Sequence, residues 1–163
     1  MTSILHGIII CIPFSVFVIV SFTLNPRLWL HSLPKDIAAM VPPKTNYEKK
    51  LTRYLLLPVY LVILPGLSIA SAVYLSMFEQ VSFSFIMLLF HFYTIWIIIH
   101  LWDLIVIDGL YMLFINAGHP PIPGTENAKG WKDYSFHVRA FVKASIFSAL
   151  FVIPAAVILS VIL

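Results

Sequence analysis

Charged side chains are scarce in this chain: its 163 residues include 10 Lys or Arg and 7 Asp or Glu, while 61% are hydrophobic. A soluble domain normally carries about 25% charge. A share of 10%, with a mean hydropathy of +0.98, excludes an ordinary water-soluble globule and points to a chain made for lipid. Cysteine is scarcer still. Cys11 alone excludes an intramolecular disulfide, a paired-cysteine redox relay and a Cys-rich zinc site, and reads as a small apolar residue. The loop "PIPGTEN" holds Gly124 and Thr125 but lacks the repeated glycines of a phosphate cradle. A net charge of +3 and a pI near 9.1 come without any recognition motif for nucleic acid, which is therefore not an expected partner.

Long uncharged runs are what the chain has in abundance: Met1 to Pro26, Tyr54 to Phe78, Val81 to Trp102 and Ala144 to Leu163. Each is long enough to cross about 30 Å of hydrocarbon, and with no water there to satisfy loose backbone groups each should be helical. The expected fold is a single all-α domain, a four-helix transmembrane bundle with spans near 4–24, 54–77, 82–103 (continuing to 116) and 141–162. The first run lacks a basic leader and is followed by "SFTLNPRLWL" where a cleavage site would stand, so it reads as a retained helix. All ten basic residues fall in two loops, six in 25–53 and four in or beside 117–138. The positive-inside tendency then places both loops in the cytoplasm and both termini outside, most naturally in a prokaryotic plasma (inner) membrane.

Pro13, Pro58, Pro65 and Pro154 should bend their helices. Small residues at four-residue spacing, Gly66 with Ala70, Ser68 with Ala72, and Ala140 with Ala144 and Ser148, suit close helix packing. The first loop contains "LHSLPKDIAAM", expected to hold a short interfacial helix, and Trp29, Trp102 and Trp131 are expected to anchor at the interface. His31 and His119 have proline-rich surroundings and read as solvated or capping residues.

The segment "HLWDLIVIDGLY", residues 100–111, embeds polar groups in one of the most apolar runs. At about 100° per residue, Asp103 lies roughly 60° to one side of His100 and Asp108 roughly 80° to the other, with Tyr111 near the His100 direction. Together they form a polar wedge about 16 Å long. His91 points about 180° away from His100 and belongs to another face. A charged Asp at mid-bilayer costs on the order of 3 kcal/mol, so the wedge should face protein or trapped water, with partners from other elements. Glu126, Lys132, Asp133, His137 and Arg139 stand at matching depth, and Asp103 or Asp108 is expected to pair with Arg139 or Lys132.

These residues define the expected polar site, between the third and fourth helices and open to the cytoplasm. One reading is purely structural: paired charges fix helix register. The other is a ligand site, for a cation or an anionic lipid-like substrate, with catalysis left open. In its metal form, His100, Asp103, Asp108 and His137 would hold a divalent ion, since mixed imidazole and carboxylate ligands suit Zn²⁺, Mn²⁺ or Fe²⁺. A b-type haem, from His6 with His91 or His100 with His137, is a lesser expectation. Expected partners are the bilayer, anionic head groups attracted by Lys and Arg, and a homo-oligomer or a larger membrane complex. Two further functional readings are an accessory subunit of such a complex and an oligomeric proton-coupled transporter.

No familiar motif narrows this. "DLIVIDG" has four residues between its aspartates where the opening of CDP-alcohol phosphotransferases has two. The HExxH pair and the histidine boxes of membrane desaturases are absent. The cysteines of DsbB-like quinone reductases and the first-helix carboxylate of small multidrug transporters are missing as well.

Overall fold

The computed structural model describes residues 2–115 and 120–163 and is helical with no strand among them; His119 lies outside the described residues. Four helices are long and apolar enough to cross a membrane: α1 (Thr2–Leu24), α2 (Asn46–Phe78), α3 (Phe85–Met112) and α4 (Tyr134–Ile162). α2 and α4 begin several residues before their apolar runs, because each starts with a capped polar turn. Thr45 and Glu48 form a reciprocal capping box at the start of α2. At the start of α4 the Asp133 carboxylate accepts from Phe136 N–H at 3.1 Å.

Proline shapes α2 locally. Its Thr52–Leu56 and Val59–Ile63 stretches are π-wound, with bonds reaching five residues instead of four. Pro58 and Pro65 follow them; each lacks an N–H and would push its ring against the carbonyl four residues back, and a wider turn relieves both. The widest departure from α geometry begins within α3 at Asp103, where π winding takes over and runs on past the end of α3 to Ile115.

α3 is the centre of the assembly. Its Leu88, Phe92, Ile95 and Ile99 are buried together with Cys11, Phe14 and Val18 of α1 and Val152, Ala156 and Leu159 of α4. Gly7 allows α1 to approach closely, since a Cβ there would lie 3.1 Å from Ile98. Ser68 and Ala72 are fully buried as the four-residue spacing anticipates, but a Cβ on Gly66 would meet nothing within 4 Å, so that glycine is not a contact point within the chain. At the end opposite the charged loops, hydroxyls and imidazoles cross-link three helices. Ser3 Oγ bonds His91 Nδ1 at 2.8 Å, His91 Nε2 bonds Ser71 Oγ at 3.0 Å, and Ser71 Oγ bonds His6 Nδ1 at 2.6 Å.

The charged loops meet at the other end. A 3-10 turn (Pro26–Ser32) and a short helix (Lys35–Ala39) make up the first loop, the latter where a short helix was expected. Arg27 Nε donates to Glu48 at 2.6 Å and Arg27 Nη2 to the Pro42 and Pro43 carbonyls at 3.0 and 3.1 Å. Lys44 Nζ donates to the Leu28 carbonyl at 2.5 Å and to Thr52 Oγ1 at 3.0 Å. Trp29 and Trp131 are therefore not interfacial anchors: they are 6% and 7% exposed, and their indoles donate to Ser21 Oγ and to Thr125. Trp102 likewise donates inward, to Ser15 Oγ at 2.8 Å.

One bond joins the loops across 94 residues of sequence: Gly130 N–H donates to Asp36 Oδ2 at 2.7 Å. A Cβ at Gly130 would collide with Asp36 and Pro34, so only glycine permits this approach. Gly130→Ala should therefore break a hydrogen bond to a charged group and lower stability by about 2 kcal/mol, read as a lower thermal midpoint of the purified protein in detergent micelles. An unchanged midpoint would show that the loops do not depend on this contact.

Candidate functional site

A cavity of about 270 Å³ lies at the loop end, lined by residues of all four long helices and by the turn around Trp29. α3 contributes His100, Asp103, Asp108 and Tyr111, α4 contributes His137, and α2 contributes Tyr60. The π winding is what gathers the two acids. In an α-helix Asp103 and Asp108 would stand about 140° apart, whereas five-residue bonding stacks residues five apart on nearly one face. Both carboxylates line the same cavity.

The expectation that an aspartate pairs with Arg139 or Lys132 is corrected by the geometry. Asp108 Oδ2 meets His137 Nδ1 at 2.8 Å, tying α3 to α4 through side chains only 19% and 8% exposed. Two residues on a helix are about 200° apart, so when His137 faces the cavity Arg139 faces away. Arg139 is 62% exposed and joins Asp133 at 3.5 Å, with a further bond from Nη1 to Ser135 Oγ at 2.9 Å. Lys132 is exposed and forms no ion pair among the described residues. Glu126 is also exposed and accepts from Gly124 N–H at 2.9 Å. Asp133 is held below the usual carboxylate range by Ser135, whose hydroxyl donates to it at 2.5 Å. Glu126, Lys132, Asp133 and Arg139 thus belong to the polar surface, while His100, Asp103, Asp108, Tyr111 and His137 come together.

Within the cavity the groups are unequally satisfied. Tyr111 OH shares a hydrogen bond with Thr23 Oγ1 at 2.9 Å, anchoring the end of α1. His100 packs its ring 5.6 Å from Trp96, and its Nε2 is buried with no partner among the described residues. Asp103 is half-buried, and no ion pair or side-chain hydrogen bond to it occurs among the described residues.

Three wall residues carry no obvious signal in the sequence. Trp29 and His31 come from a loop that reads as solvent-exposed, and Tyr60 from the run between two prolines. The hint lies in "NPRLWLHSLP", whose Leu and Trp are too apolar for a free loop. His31 stacks on Trp29 at 6.4 Å and stands exposed beside Ser32 at the cavity mouth. Partial loss of hydration and the nearby Lys44 charge hold its pKa below the ordinary histidine value, so it is neutral near pH 7.

The four residues expected to hold a divalent metal line one cavity, but no three His, Cys, Asp or Glu form a group that could hold a metal ion among the described residues. Asp108 and His137 are instead bonded to each other. For haem, His6 and His91 both bond the same Ser71 hydroxyl, which stands where an iron would have to, and the second His91 nitrogen is taken by Ser3. No family model, curated protein or solved structure matches this chain.

Removing the partner of a buried carboxylate leaves that group without its hydrogen bond, at about 3 kcal/mol. His137→Ala should therefore lower the unfolding free energy by roughly that amount, and adding Asp108→Asn should recover part of it. Thermal unfolding of the two variants checks this; a double variant no more stable than the single one would show that the pair is not what His137 contributes.

Proposed function

We propose that this chain is an integral membrane protein with both termini outside and that the cavity, open to the cytoplasmic face, binds a cation. The orientation is supported by the basic residues of both loops, which the Asp36 to Gly130 bond holds at one end. In a prokaryotic plasma membrane that end is the cytoplasmic one.

The cation reading rests on one observation. Asp103 stands in the cavity wall beside Asp108, and neither Lys nor Arg lines that cavity among the described residues. An ionised carboxylate in apolar surroundings is costly unless a positive charge or a proton answers it. His137 answers Asp108; Asp103 is left for a ligand. An anionic head group would meet two carboxylates and no cation inside, so of the two ligand classes expected from the sequence only the cation is retained.

Orientation is tested with single cysteines, using Cys11→Ala as background because Cys11 is buried. A membrane-impermeant maleimide on intact cells should label Gln80→Cys and leave Lys50→Cys unlabelled until the cells are opened; the reverse pattern overturns the topology. Binding is tested by thermal unfolding of the purified protein in nonionic detergent against K⁺, Mg²⁺, Zn²⁺ and tetramethylammonium. At least one should stabilise saturably, by about 2.7 kcal/mol at a hundredfold excess over Kd, and Asp103→Asn should abolish that gain. Stabilisation by none of them, or an equal gain in Asp103→Asn, defeats the reading.

A further inference from the structure

The cavity wall contains more than carboxylates, and its remaining surface distinguishes among cations. Trp29, Tyr60, Tyr111, Phe136 and Phe141 all contribute to the lining. Aromatic faces attract positive charge through the ring quadrupole, most effectively when the cation is weakly hydrated. A hard metal ion gains little from such a wall. Calcium takes six to eight oxygens and magnesium holds on to several waters, by the usual coordination rules; zinc asks for three or four nitrogen, sulfur or oxygen donors, as a rule. Asp108 is already engaged by His137 at 2.8 Å, and no group of three metal-ligating side chains is present among the described residues.

Resting on the cation reading above, we infer that the ligand of this cavity is an organic ammonium, its charge set against Asp103 and its alkyl groups against the aromatic wall. The volume of about 270 Å³ falls just below the usual range for drug-sized ligands, about 300–1,000 Å³, and suits an ammonium group with a few attached carbons. The buried His100 Nε2, without a partner among the described residues, marks the same wall as incompletely satisfied. Neutral His31 at the mouth adds no opposing charge to the entry path.

The same chemistry arrives either free in water or as the head of a choline or ethanolamine lipid, and two arms separate these sources. In detergent, titration calorimetry compares tetramethylammonium and ethylammonium with K⁺, Mg²⁺ and Zn²⁺. In nanodiscs, stability is compared between phosphatidylcholine and pure phosphatidylglycerol, each with and without added tetramethylammonium. Tetramethylammonium should bind at least tenfold more tightly than any metal ion. Asp103→Asn should weaken it tenfold or more and Phe141→Leu severalfold, with helical content unchanged by circular dichroism. Should Asp103→Asn fail to fold, Asp103→Glu, which keeps the charge, and Phe141→Leu carry the comparison.

A free amine as ligand predicts that added tetramethylammonium stabilises the protein equally in both nanodiscs. A lipid head predicts that phosphatidylcholine alone stabilises and leaves nothing for the added ammonium to do. Either result supports the inference. Saturable binding of a metal ion with none of the ammonium ions overturns it and leaves the cation reading standing; no binding of any cation overturns both. Ammonium binding that Asp103→Asn and Phe141→Leu leave unchanged places the site elsewhere and also overturns it.

Discussion

A carboxylate surrounded by apolar protein has to be answered, and the Asp108 to His137 bond of 2.8 Å is where this chain does so. Everything around the cavity is arranged so that this contact can form. It requires α4 to present His137 inward, which turns Arg139 to the surface and into the company of Asp133 and Ser135. It also requires α3 to carry Asp108 into the bundle interior, five residues beyond Asp103. Arg139 is thereby kept out of the cavity, and an imidazole meets Asp108 in its place.

The change of winding in α3 has the same origin. An α-helix continued past Trp102 would spread Asp103 and Asp108 over opposite flanks, leaving one of them directed away from the cavity. Winding with five-residue bonds costs hydrogen-bond quality and is rare except where function demands it. Here it sets both acids on one wall and leaves Ile107 and Met112 buried in the core. Gly109 falls inside this stretch, where an added Cβ would stand 3.3 Å from the Leu104 carbonyl. Without a Cβ, Gly109 leaves that carbonyl uncrowded within the π-wound backbone.

The four long helices were legible because hydrophobic length is a one-dimensional property: any uncharged run of some twenty residues declares itself. The short helix after Pro34 and the separation of His91 from His100 were legible too, the first from local polarity and the second from helical period. The cavity was half legible. His100, Asp103, Asp108, Tyr111 and His137 stood out as polar residues in apolar surroundings, whereas Tyr60, Trp29 and His31 looked ordinary where they stand. The membership of Trp29 and His31 depends on how the loop between α1 and α2 folds back, and that loop is held by Arg27 meeting Glu48 and by Lys44 reaching Leu28. Charge pairing across a surface is not periodic and leaves no pattern in a single sequence. The mistaken pairing of Asp103 or Asp108 with Arg139 arose from matching depth alone, without the rotation that separates Arg139 from His137.

The loop end also shows why the basic residues of this chain and its acidic cavity do not cancel each other. Arg27 is committed to Glu48 and the carbonyls of Pro42 and Pro43, and Arg139 to Asp133. Both arginines are thus neutralised locally or turned to solvent, where screening limits their reach to about 10 Å. The Lys44 ammonium is fastened to Leu28 and Thr52, and its charge adds to the loss of hydration that lowers the His31 pKa. The turn carrying Trp29 and Leu33 contributes apolar surface to the cavity wall. Among the described residues the cavity lining therefore holds carboxylates and imidazoles and no Lys or Arg, although the chain as a whole is net positive.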